Sequence, residues 1–172
     1  YMTLLFALTA AMFYGVADYS GSRGSRLASS AAITLAGQAA ALVIISAYLL
    51  IFRSSPPPLE SWLWTAGGGF GGAIALVAFY QAMSKGSMTV IAPITAVIGL
   101  SVPVIAGFIQ GERPKTVAWF GIALAVVAVA LVGDVLDKHD LPTSMDAIWL
   151  AIAAGFGFGM IFVCMANASH DH

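Results

Sequence analysis

Charge is what this chain has least of. Asp, Glu, Lys and Arg together make up 9% of its 172 residues, against 60% hydrophobic, where a soluble domain carries about 25% charged residues. A water-exposed surface cannot be built from that supply. The seven basic residues are scattered and the formal net charge is -1, so no patch exists that would hold a phosphate backbone by counterion release. Nucleic acid is therefore excluded as a partner. Cysteine is nearly absent as well: Cys164 stands alone in an apolar run, which rules out an intramolecular disulfide and reads as a small packing residue. The three histidines, His139, His170 and His172, all lie outside the apolar runs. With no Ser/His, Cys/His or paired-carboxylate set at membrane depth, an intramembrane enzyme is disfavoured. His170-Asp171-His172 has the chemistry of metal ligands, but three adjacent residues read as loop, and neither a metal nor a cofactor is expected.

What the chain has in abundance is long apolar runs. The stretch Phe79 to Gly133 holds two of them, Met88 to Ile109 and Val117 to Gly133, joined by the dense charge cluster Glu112, Arg113 and Lys115. Each approaches the ~20 residues a helix needs to cross a ~30 Å hydrocarbon layer. Four more candidate spans bring the count to six, at about 3–20, 31–52, 62–83 and 147–168. The first has no basic segment before it and no small-residue cleavage site, and reads as a retained span rather than a signal peptide. A polar loop, 21–30, follows it. Arg53 and the prolines at 56–58 end the second span, because consecutive prolines remove helix donors. Trp62 and Trp64 then fall where an interfacial aromatic belt is expected.

The third span carries Gly68 and Gly72 within two overlapping Gly-x-x-x-Gly pairs, and the sixth carries Gly155 and Gly159. Such pairs let a neighbouring backbone come close. These glycine faces serve intrachain packing and homodimer formation equally well. In the fourth span Pro93 and Pro103 free the carbonyls of Thr89 and Gly99, which must be satisfied by a neighbour, a hydroxyl or water. A kink and a functional break are both open readings there.

An internal repeat is the most informative pattern. An offset of 144 residues sets Leu4 to Val16 over Ile148 to Met160, matching Ala7 with Ala151, Ala10 with Ala154, Gly15 with Gly159 and Tyr14 with Phe158. If the sixth span repeats the first, the unit has five spans, and an odd number sends the second copy into the membrane from the opposite side. That is the inverted-topology repeat of secondary transporters.

The segment FYQAMSKGSMTVIAPITAVIGLSVPVIAGFIQGERPKTVAWFGIALAVVAVALVG resembles the end of an EamA-type domain of the drug/metabolite transporter superfamily. It has the short turn into an Ala-Pro helix, the Gly-Glu-Arg hinge and a final helix at Gly121. The opening FYGVADYSGSRGSR resembles the aromatic-Gly-x-x-Asp first helix of one bacterial branch, and Leu35-Ala-Gly-Gln38 fits its second helix. The resemblance implies a ten-span inner-membrane carrier of two inverted five-helix repeats with cytoplasmic termini. The expected architecture is thus an all-α membrane protein of six transmembrane helices: one five-helix EamA repeat over 1–136, a polar linker over 137–146, and the first helix of a truncated second repeat over 147–172.

Charge does not orient the chain. On side one, which holds the N-terminus, are Arg53, Arg113 and Lys115; on side two are Arg23, Arg26, Lys85 and Lys138. Three against four decides nothing under the positive-inside rule, and side one is cytoplasmic by the resemblance alone. Depth is more telling. Asp18, Gln38, Tyr80, Gln81 and Thr95 all fall within roughly 10 to 12 Å of side two, with Tyr14 one turn deeper than Asp18 on the same face. They are the candidate substrate-binding residues, converging on a vestibule open to side two. A carboxylate inside a span costs about 2.5 to 3.5 kcal/mol at the bilayer centre and marks function by default. The alternative for Asp18 is an interfacial pair with Arg23 or Arg26; Gln38 reads equally as an interhelical hydrogen bonder, and Tyr80 as an interface anchor. The functions these residues admit are a carrier for small metabolites such as amino acids, in which Asp18 takes up a proton or a cationic substrate group, and a non-transporting half-carrier or assembly unit.

Overall fold

In a computed structural model, which describes residues 2–52, 58–111, 113, 116–136 and 143–169, the chain forms six helices: α1 (Met2–Ser25), α2 (Ser30–Phe52), α3 (Leu59–Lys85), α4 (Met88–Ile109), α5 (Thr116–Leu136) and α6 (Met145–Ser169). The described residues contain no strand. Five helices are long and apolar enough to cross a membrane, while α5 has a shorter apolar stretch, Ala118–Val129. The expected all-α membrane architecture stands. Glu112, Lys115, Arg53, Lys138, the first prolines of the linker and His170-Asp171-His172 lie outside the described residues.

Helix ends follow the local chemistry. Ser29 caps α2 by accepting from the Ala32 N–H at 3.2 Å, Ser87 caps α4 by accepting from Thr89 N–H at 3.2 Å, and Ser144 does the same for Ala147 at the start of α6. Gly111, at φ 86, takes the left-handed conformation that stops α4. Within the helices, hydroxyls that face an apolar phase turn back on their own backbone: Thr9 donates to Leu5 O, Ser20 to Val16 O, Thr65 to Ser61 O and Ser101 to Val97 O.

The core is α6 packed between α3 and α4. Antiparallel to α3, it places Ala168 O on the Ser61 hydroxyl, Cys164 on Gly68, and Gly157 on Ala75. Parallel to α4, it sets Gly155 against Thr95 and Ile98 and Gly159 against Gly99 and Val102. A Cβ added at Gly155 would lie 2.7 Å from Ile98 Cβ and 2.9 Å from the Thr95 carbonyl, so these backbones meet only because the side chain is missing. Gly68, Gly72, Gly155 and Gly159 thus form one seam system. Gly99, whose carbonyl Pro103 strips of its donor, presents that oxygen 3.0 Å from where a Gly159 Cβ would stand. The proline and the glycine belong to the same crossing. Pro93, the other proline inside α4, is half-buried one turn deeper than Thr89, whose hydroxyl meets that of Ser87.

The buried core runs through Phe79, Tyr80, Ala82 and Met83 of α3, Ile91 of α4, and Ala147, Ala151 and Ala154 of α6. Outside it, α5 leans on α4 through Phe108 and Trp119, whose ring centroids are 5.7 Å apart. The hairpin of α1 and α2 packs on the rest through Gly21, which meets Tyr80, and Ile33, which lies against the core. Of the three core helices, α6 runs against α3 and with α4.

Candidate functional site

The site begins where α1 is longer than its sequence suggests. The polar segment after Ser20 reads as loop, yet the helix continues through Ser25, and Gly21, Ser22 and Ser25 are buried against the bundle. Tertiary packing overrides the weak helix propensity of glycine and serine. Asp18 therefore lies about 10 Å inside the end of α1, not at it. At Gly21 the Tyr80 ring and hydroxyl of α3 occupy the space a side chain would fill. Asp18, three residues earlier on the same face, is half-buried.

No cation answers this carboxylate among the described residues. Arg23, the nearest basic residue in sequence, turns to Tyr19 instead, donating to its hydroxyl at 3.1 Å with the guanidinium 5.9 Å from the ring centre. Arg26 and Lys85 are exposed. The expected alternative, an interfacial pair between Asp18 and Arg23 or Arg26, is not formed.

Of the six candidate residues, the structure brings Asp18 and Tyr80 together. Tyr80 is 7% exposed and continues through Phe79, at 5.9 Å between ring centres, to Phe158 of α6 at 5.7 Å. Tyr14 shares the face of Asp18 but is 72% exposed. Gln38 and Gln81 are exposed, and Gln81 points away from the core that holds its neighbour Tyr80. Thr95 is buried in a different place, the α4–α6 seam, where its hydroxyl donates to Ala151 O at 3.2 Å. Three residues that the sequence reading passes over belong here: Gly21, Ser22 and Ser25. The pattern Asp18-x-x-Gly21-Ser22-x-x-Ser25 was visible as one helical face, had the helix been carried past Ser20. On α2, the buried Thr34 hydroxyl has no hydrogen-bond partner.

The close contacts of the α1–α2 hairpin are unevenly placed along it. On side two, Gly21 meets Tyr80, Gly24 meets Ile33, and Gly86 packs on Thr143 and Ala147. Toward side one, α1 is exposed from Leu4 to Ala17, and neither Gly15 nor Gly37 has a neighbour within 4 Å of an added Cβ.

Among the described residues no group of acids, cysteine and histidine could hold a metal ion. Cys164 fits against Gly68, where a Cβ would come within 3.0 Å of its own. It is a packing residue. What the arrangement offers chemically is a half-buried carboxylate within an apolar helix, without a basic partner among the described residues, and the Tyr80 ring packed one turn further on at Gly21. The model of the EamA-like transporter family matches residues 1–133. The chain belongs to the EamA-like transporter family. It is accordingly a multi-pass membrane protein of a family of transporters, and the EamA match ends close to the end of α5. No curated protein and no solved structure matches it.

Proposed function

We propose that this EamA-like protein is a secondary carrier of small metabolites, such as amino acids or related amphipathic compounds, working by alternating access in a bacterial inner membrane. The observation that carries the reading is Asp18: a carboxylate about 10 Å inside a helix end, one turn from the glycine on which Tyr80 packs and without a basic partner among the described residues. Such a group is costly in a bilayer and is retained where it binds something. In this mechanism Asp18 takes up a proton or a cationic group, Tyr80 and Gln38 supply hydrogen bonds, and Tyr14 and Gln81 line the path. Thr95 couples α4 to α6 through its bond to Ala151.

Two inverted repeats, one over 1–136 and a second starting in 147–172, would provide the moving halves. The glycine seam along which α6 rests on α3 and α4 supports this. Uptake into proteoliposomes tests the carrier: Asp18→Asn should abolish concentrative uptake, and full pH-dependent uptake by that variant removes Asp18 from coupling.

The second reading is a non-transporting half-carrier that docks to partners or to its own copy. The exposed face of α1 favours it. A chain that carries no flux in vesicles yet sediments as a defined dimer in detergent would decide for this reading.

A further inference from the structure

The cations that the candidate site leaves unused gather at the turn between α1 and α2. Arg23 and Arg26 are exposed there, and neither meets an acid among the described residues. A guanidinium stays charged at any physiological pH, so at the end of a membrane span it calls for an anion. The two are neighbours. Helical hydrogen bonding runs on past Ser25, with the Arg26 N–H donating to Arg23 O at 3.3 Å and the Ala28 N–H to Gly24 O at 2.9 Å. Tyr19, Arg23 and Arg26 thereby share one face, at spacings of four and three. Arg23 is also held in position. Its guanidinium donates to the Tyr19 hydroxyl at 3.1 Å and stands 5.9 Å from the ring centre, which leaves the rest of its fork free.

The pair has apolar company. Leu27, next in the chain, is 91% exposed, and Tyr19, inside the apolar span, is 52% exposed. Free phosphate would satisfy the arginines and leave both side chains uncovered. A phospholipid covers them, with its phosphate against the two forks and its glycerol and upper acyl chain against Tyr19 and Leu27. A choline headgroup would set a second positive charge beside the arginines, so the complementary headgroup is an anionic one. We infer that the α1–α2 turn is a docking site for the headgroup of an anionic phospholipid, with Arg23 and Arg26 on its phosphate. The site requires only that the chain lies in a bilayer, whether or not it carries a solute.

Native mass spectrometry of the full chain, released from vesicles of equimolar phosphatidylglycerol and phosphatidylcholine, counts the lipid that stays bound. Phosphatidylglycerol should be retained about tenfold over phosphatidylcholine, the attraction expected of two basic residues at an anionic surface. Replacing both arginines, Arg23→Gln with Arg26→Gln, should bring the ratio to within about twofold of parity. Tyr19→Phe, which keeps the ring and releases Arg23, should lower it about two- to threefold. Lys85→Gln is the control: Lys85 is exposed on the same side, with no ring or hydrogen bond to position it among the described residues, and its loss should leave the ratio unchanged. Circular dichroism verifies the helix content of each variant. No preference in the wild-type chain, an undiminished preference in the double variant, or a loss from Lys85→Gln equal to that of the double variant overturns the site. Displacement of the bound lipid by soluble glycerol phosphate also overturns it, because the arginines would then serve a free phosphate.

Discussion

The first and last helices share a pattern and live in opposite surroundings. The face that α6 buries consists of Ala147, Ala151, Ala154, Gly155 and Gly159. At the 144-residue offset these positions correspond in α1 to Thr3, Ala7, Ala10, Ala11 and Gly15, every one of them small. In α6 the face is sealed against α3 and α4; in α1, Ala7, Ala10, Ala11 and Gly15 are exposed. The difference lies in the partner. α6 meets a helix that offers Gly99 and a carbonyl freed by Pro103, whereas the glycine of α1 that packs closely on α3 is Gly21, against Tyr80, beyond the end of its stripe. Small residues make a close approach possible, and an equally small or backbone-baring neighbour is needed to complete it.

Leucine at the paired glycines gives the strongest test of that contrast. Gly159→Leu would drive a branched side chain into Val102 and the Gly99 carbonyl, which sit on helix backbone and cannot swing away. The cost should be about 3 kcal/mol or somewhat more, read as a fall in midpoint in detergent unfolding. Gly15→Leu at the same register has nothing to strike within 4 Å and should change stability by less than ~0.5 kcal/mol. Equal losses at the two positions would mean that the stripe of α1 is packed as tightly as that of α6.

Much of this contrast could be read before any coordinates. Six apolar runs correspond to six helices, and Gly68, Gly72, Gly155 and Gly159 stand out in the sequence as close-packing positions, because length and residue size act locally. Pairing was not legible. That Gly68 would find Cys164, that Gly72 would find Ile161, and that Gly159 would find Val102 depends on how three helices cross. The same limit governs the site. Asp18 and Tyr80 stood out as polar groups in spans, but their meeting required α1 to run on to Ser25 and Gly21 to admit a ring, and the polar composition of residues 21–30 argued for a loop. Thr95 shows the converse. Its depth matched that of Asp18, yet depth does not specify direction around a helix bundle, and it faces Ala151.

Adding a single methyl should sharpen the comparison at smaller amplitude. Gly155→Ala brings a Cβ to 2.7 Å from Ile98 Cβ and 2.9 Å from the Thr95 carbonyl. The helices must separate by a few tenths of an ångström, for an expected loss of about 1 to 2 kcal/mol. The corresponding α1 position is already Ala11 and exposed, so a further enlargement there, Ala11→Leu, should be silent to within ~0.5 kcal/mol. A silent Gly155→Ala would show that the α4–α6 crossing is loose enough to rearrange.

The smallest expected difference concerns hydroxyls. Thr95 of α4 donates across the seam to Ala151 O at 3.2 Å, and Thr9 of α1 donates within its own helix to Leu5 O at 2.8 Å. Valine replaces each hydroxyl with a methyl of similar shape. Thr95→Val removes an interhelical bond but leaves the Ala151 carbonyl in its helical ladder, so the loss should be about 0.6 kcal/mol and under ~1.7 kcal/mol. Thr9→Val removes a redundant bond to a carbonyl that the helix already satisfies, and no change beyond error is expected. Unfolding of the two variants side by side measures this. A Thr9→Val loss as large as that of Thr95→Val would require the Thr9 hydroxyl to reach a partner on another helix, and with it a packed α1 face.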